Sequence, residues 1–130
     1  MSRYVHVDMP AQLDLDEVRA GLEAMKLTVQ QARGRVMLEG SIECSGEPVD
    51  LRLPAGTLDT VEDFGFVLEQ GQVRLVCGEL DRTLLEQNLL TPMRAALAEG
   101  RVRQAADEAG LEVEAVEQTE GGRRLVLRRR

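Results

Sequence analysis

The stretch Val61-Glu-Asp-Phe-Gly-Phe-Val-Leu-Glu-Gln-Gly-Gln-Val-Arg-Leu-Val-Cys77 limits the possible folds more than any other part of the chain. Phe64, Phe66 and Leu68 alternate onto one face of a strand, and Val73, Leu75 and Cys77 onto one face of a second. Glu69-Gln-Gly71 turns between them, so the stretch predicts an antiparallel hairpin, with Gly78 as its stop. Asp81 stands where an N-cap would open a helix, and helical sequence continues to about Ala109. Thr91-Pro92 divides it. A proline inside a helix removes a hydrogen bond and clashes with the preceding turn, whereas at the first helical position, behind a threonine cap, it costs little. The spacing therefore predicts one helix over 81–90 and another over 92–109. In the longer helix Ala95, Ala98, Val102, Ala105 and Ala109 form a stripe of small residues, which permits close approach of a sheet or a second helix.

The flanking segments supply further strands. Residues 3–9 alternate, with Val5, Val7 and Met9 on one face and Tyr4, His6 and Asp8 on the other, and Pro10 ends the run. Asp14 and Glu17 have capping-box spacing ahead of Leu15, Val18, Leu22 and Met25, which predict an amphipathic helix. Strands are expected over 27–31 and 35–44, the second bulged at Gly40, and over 49–53, with Val49, Leu51 and Leu53 facing in and Asp50 and Arg52 facing out. After Gly110, Leu111, Val113 and Ala115 alternate with Glu112 and Glu114, and Gly121-Gly122 turns into a closing strand. Arg128–Arg130 read as a fraying tail. Val18…Leu27-Thr-Val29 and Val102…Leu111-Glu-Val113 share one offset. A strand-helix-hairpin unit used twice would leave this pattern, although any such unit shows it. The expectation is an α+β fold in one domain over 1–130: an antiparallel sheet with helices packed on one face, formed by two strand-helix-hairpin repeats if the offset reflects duplication.

Composition excludes several classes of function. With 130 residues, 43% hydrophobic and 30% charged, the chain suits one folded core. Aromatics amount to 2%, namely Tyr4, Phe64 and Phe66, so few rings are available to stack on bases. A net charge of −7 makes free nucleic acid and anionic membrane poor partners. No apolar run reaches membrane-spanning length and no leader-like segment opens the chain, so a cytoplasmic location is expected. Cys44 and Cys77, far apart in apolar runs, read as reduced core thiols.

No motif names a reaction. Asp63-Phe-Gly65 spells the magnesium-binding triplet of protein kinases, but the rest of the kinase signature is missing; Gly65 reads instead as a point of close backbone approach. His6 is the only histidine, and there is no Cys-x-x-Cys, no phosphate loop and no dinucleotide fingerprint, so neither metal, cofactor nor catalytic residue is expected. The carboxylates are dispersed and single out no catalytic pair. Arg123, Arg124, Arg128, Arg129 and Arg130 could hold a phosphate or an acidic partner surface; they also suit a charged edge strand that discourages aggregation.

Several pieces in order resemble a known family: Met1-Ser2 before an aromatic-bearing strand, Leu22-Glu-Ala-Met-Lys-Leu-Thr-Val29, Asp63-Phe-Gly-Phe-Val67, Val73-Arg-Leu-Val76, Leu89-Leu-Thr-Pro-Met-Arg-Ala95, Ala109-Gly-Leu-Glu-Val113 and Arg124-Leu-Val-Leu-Arg128. The chain is similar over nearly its whole length to the small proteins of a domain of unknown function encoded in plastid and cyanobacterial genomes and scattered through other bacteria. The family carries a histidine directly after the first serine, where this chain has Arg3, and aromatic residues in the long helix, where it has Met93, Arg94 and Ala95. The resemblance implies one coherent fold and adds little mechanism, since no activity is established for the family.

By elimination the sequence points to a small non-enzymatic binding or adaptor protein, acting through an open sheet face or a helix surface on a protein partner or a second copy of itself. Tyr4 and His6 on the sheet, Ala98 and Ala105 on the helix and Arg124 on the closing strand are the expected binding residues. The alternatives are a small enzyme using His6 with a carboxylate in a cleft and, third, nucleic-acid binding through the arginine-rich C-terminus.

Overall fold

In the computed structural model, which describes residues 3–9, 12–40 and 46–130, the predicted hairpin forms the middle of a four-stranded antiparallel sheet. The strands are β1 (Tyr4–Asp8), β4 (Leu51–Leu53), β5 (Phe64–Glu69) and β6 (Gln72–Gly78), in the order β1-β6-β5-β4. The turn between β5 and β6 is Gln70-Gly71. Both residues have positive φ, at 50° and 77°, as a two-residue turn that matches the strand twist requires. Register places Val7, Leu75, Phe66 and Leu51 in one row and Leu53 and Phe64 in the next, on a single face. Phe64, Phe66, Leu53 and Leu75 are fully buried there, each contributing about 1.5–3 kcal/mol of hydrophobic burial. Helix α1 (Leu15–Ala24) lies against β5 with Val18 and Leu22 fully buried. Its expected capping box is present: Glu17 N donates to Asp14 Oδ1 at 2.7 Å and Asp14 N to Glu17 Oε1 at 3.3 Å.

The opposite face is not open where the sequence predicted. A short ladder of β2 (Val36–Met37) and β3 (Pro48–Val49) brings Leu38 and Val49 into a second buried cluster with Tyr4, Val67 and Val76. Tyr4 is only 8% exposed and Arg52 likewise, so both expected surface residues are interior ones. Gly65 permits this cover, since a Cβ there would stand 2.3 Å from Leu51 O and 2.8 Å from a Val49 methyl. The long strand expected over 35–44 is reduced to Val36–Met37. The amides of Glu39 and Gly40 donate to the Asp63 carboxylate instead of to a neighbouring strand. The strand expected over 27–31 is reduced to a bridge between Gln30 and Arg52. Pro10 and residues 41–45, with Cys44, lie outside the described residues.

Thr91-Pro92 does not divide the helical region. Helix α2 (Arg82–Leu85) passes through a π-helical turn (Glu86–Leu90) into α3 (Thr91–Glu108), and Thr91 is itself helical at φ −65°, ψ −50°. The wider turn accommodates the proline, which has no N–H to give and needs room behind it. The Thr91 hydroxyl donates to Glu86 O at 3.0 Å rather than capping a new helix. Asp81 does not cap either; its carboxylate accepts from Val61 N at 2.9 Å and Glu62 N at 3.0 Å, tying that loop to the start of α2.

The chain divides into two compact units, Met1–Pro92 and Met93–Arg130. The second holds most of α3 and a hairpin of β7 (Leu111–Thr119) and β8 (Gly122–Arg129). That hairpin is a separate two-stranded sheet, so the single sheet of two repeats is not formed, and Glu112 and Glu114 do not share a face with Asp50 and Arg52. Arg128–Arg130 do not fray: Arg128 pairs with Glu112, Arg130 with Asp107, and Arg130 N donates to Gly110 O at 3.1 Å. The fold is α+β, built of antiparallel sheets and helices.

Candidate functional site

Asp63, the first residue of the kinase-like triplet, is the hub of the first unit. It is 3% exposed and accepts hydrogen bonds from the Tyr4 hydroxyl, Arg52 Nε at 2.9 Å, Glu39 N at 2.6 Å and Gly40 N at 3.3 Å. Burial alone would raise its carboxyl pKa; the four donors outweigh burial and hold it below the usual carboxylate value. Arg52 is held in turn by Gln30 and lies 3.5 Å from Glu39. Every partner here is part of the fold, and the group knots β1, β4 and the two loops together. Sequence reading missed it because a buried Asp–Arg pair from distant segments leaves no spacing signal.

His6, by contrast, stands at the surface on the same face. Its Nε2 lies 2.6 Å from Glu47 Oε2 and its Nδ1 3.2 Å from Glu69 Oε1. Partial burial pulls the imidazole pKa down, but the hydrogen bonds and charges of Glu47 and Glu69 more than reverse this and leave it above the ordinary 6.5. Both ring nitrogens thus face a carboxylate. The two carboxylates sit at opposite ends of the ring and do not converge on a point where a metal could bind. Among the described residues no group of His, Cys, Asp and Glu is arranged to hold a metal ion. Cys77 pairs with Val5 across the ladder and so faces away from His6. It is a fully buried free thiol, and burial, reinforced by Asp81, pushes its pKa up to about 12. His6 and Cys77 therefore do not face a common cleft; Cys44 lies outside the described residues.

Beyond His6 the sheet face stays polar. Arg74 on β6 lies 3.6 Å from Asp8 and 3.9 Å from Glu69. A cavity of about 490 Å³ is lined by Arg35, Leu68, Glu69, Gln70 and Arg74.

In the second unit Ala95, Ala98, Val102, Ala105 and Ala109 are all exposed, Val102 at 45%. The hairpin is tied to α3 through Glu99, which pairs with Arg123 at 3.2 Å and with Arg103 of the helix itself at 3.0 Å. Arg124 is exposed and pairs with Glu117 at 3.6 Å. With Arg123, Arg128 and Arg130 also facing carboxylates, the closing arginines are largely neutralised within the unit. The expected binding residues are thus dispersed: Tyr4 in the core, His6 in an ionic clasp, Ala98 and Ala105 on a bare helix face, Arg124 in an edge ion pair. Compared with protein-family models, curated proteins and solved structures, the chain shows no significant match.

Proposed function

We propose that this chain is a non-enzymatic protein-binding module whose docking surface is the second unit, Met93–Arg130. The observation that carries the reading is the poverty of that unit's core. Only Met93 and Ala106 are buried in it, while Leu111, Val113, Leu125, Val126 and Leu127 are half-exposed. Below about 40 residues a segment rarely encloses a core of its own, and an isolated hairpin is marginal in water. A second protein surface laid on the hairpin and on the exposed stripe of α3 would complete the burial. Ala98 and Ala105 would then lie at the contact, where short side chains let two backbones approach.

A carboxylate placed in that contact would lose its water, so Ala98→Glu and Ala105→Glu should abolish association without unfolding the chain. Light scattering coupled to size exclusion reads self-association, and capture from the native source reads a foreign partner. One stoichiometric complex, lost in both variants while circular dichroism is unchanged, supports the module. A monomer that captures nothing overturns it.

Nucleic-acid binding is poorly served. The second unit carries eight arginines against seven carboxylates, so it is close to neutral, and the negative charge of the chain resides in the first.

A further inference from the structure

We infer that residues 46–50 form a strap, held closed over the second buried cluster by a pH-sensitive latch at His6. The strap carries β3, and its ladder with β2 lays Leu38 and Val49, 1% and 0% exposed, over Tyr4, Val67 and Val76. Leu38 N donates to Glu47 O at 2.8 Å, which joins the two halves of the cover. One end of the strap is fixed by groups that do not titrate near neutral pH. Asp50 N donates to Phe66 O at 2.9 Å, and the Asp50 carboxylate accepts from Leu68 N at 2.7 Å. The other end meets His6. The imidazole Nε2 lies 2.6 Å from Glu47 Oε2 on the strap, and Nδ1 lies 3.2 Å from Glu69 Oε1 on β5. One ring therefore bridges the strap to the central hairpin.

Only the imidazolium gives an N–H to both carboxylates; the neutral ring has one N–H and turns a lone pair toward the other. The remaining charges nearby do not replace it. Val76 stands opposite His6 on β6. The next pair along the ladder is Asp8 and Arg74, 3.6 Å apart, and Arg74 also lies 3.9 Å from Glu69. Partial burial opposes the imidazolium, but Glu47 and Glu69 outweigh it and hold its pKa above 6.5. The latch is thus fully made below 6.5 and loosens as pH rises through the higher closed-state value. Glu69 stays beside His6 when the strap lifts, so only the share due to Glu47 acts on the strap. Anchored at Asp50, the strap then lifts at its Glu47 end and uncovers Val67 and Val76. The device lies in the first unit and does not depend on the docking surface proposed above.

The test is hydrogen exchange of the full chain, read by NMR from about pH 5.5 to about pH 8.5, the range in which histidine titrates. Rates are corrected for the intrinsic pH dependence of exchange, and the His6 imidazole is titrated in the same samples. The Leu38 amide, bonded to Glu47 O, reports the strap. At every pH it should exchange faster than the most protected amides of β5 and β6, because the strap opens without the unit unfolding. Its protection should fall with the midpoint of His6, by up to about fivefold, the size expected of a part-exposed ion pair. Glu47→Gln leaves His6 to titrate against Glu69 and should make Leu38 protection independent of pH; His6→Gln should do the same. Leu38 exchange as slow as that of β5 and β6 would mean that the strap opens only with the whole unit, and overturns the inference. Constant Leu38 protection while wild-type His6 titrates, a result that needs no variant, also overturns it. So does a pH dependence that survives in folded Glu47→Gln.

Discussion

At Asp63 one carboxylate oxygen pair serves four donors in an almost dry setting, which makes the residue costly to alter. Asp63→Asn would remove the buried counter-charge of Arg52, leaving only the exposed Glu39 at 3.5 Å, and turn an acceptor into a donor facing donors. A loss of about 3 kcal/mol in folding stability is expected from denaturant unfolding, with Tyr4→Phe losing about half as much. The pH dependence follows from the lowered pKa. The contribution of Asp63 is fully present above its ordinary 3.8 and is lost as pH falls through the lower folded value, so wild type should weaken in acid more steeply than Asp63→Asn. His6 works with the opposite sign. Its folded pKa is raised, so the clasp with Glu47 and Glu69 stabilises fully below 6.5 and fades as pH rises through the folded value. Because the pair is part-exposed, the effect should be at most about 1 kcal/mol. As the only histidine, His6 gives a single titrating imidazole resonance, and a midpoint at or below 6.5 would refute the clasp. Neither group was legible beforehand. Alternation put Tyr4, His6 and Arg52 on polar faces, and a strand pattern cannot say which polar residue finds a buried partner.

Between elements, the close approach at Gly65 decides how β4 and β3 cover the sheet. Its added methyl in Gly65→Ala would meet Leu51 O and Val49 inside a ladder that cannot shift freely. A loss of about 2 kcal/mol is expected, the range of overpacked cores. The thermal midpoint reads it, and an unchanged midpoint would mean that β3 and β4 can move aside. This glycine was legible because a glycine amid strand-forming residues signals a bulge or a close neighbour. The central hairpin, β1, α1 with its capping box and the β7–β8 turn were legible for a related reason: each is specified by local alternation or by a cap within a few residues. Two elements were misread where a tertiary partner outbid the local rule. The Asp63 carboxylate took the amides that would have extended β2, and a π turn absorbed Pro92 where a break was expected. The duplicated sheet failed similarly, since a shared offset says nothing of which strands pair.

Across the whole chain, burial is unevenly divided, and the division has a measurable consequence. The first unit holds nearly all the fully buried side chains, whereas β7 and β8 contain none. Hairpin hydrogen bonds shielded only by half-exposed side chains open at little cost, so local opening should dominate exchange there. Amides of β5 and β6 should exchange through global unfolding, with protection that tracks overall stability and falls in Gly65→Ala. Amides of β7 and β8 should exchange far faster and ignore that substitution. Hydrogen exchange read by mass spectrometry separates the two. If the second unit docks on a protein surface, its amides gain protection when that surface is supplied: with rising protein concentration for a second copy, or on addition of a captured partner. The Ala98→Glu chain should not show the gain. Strong protection of β7 and β8 in a dilute, isolated monomer would mean that the unit already encloses its apolar residues, and the motive for a docking partner would disappear.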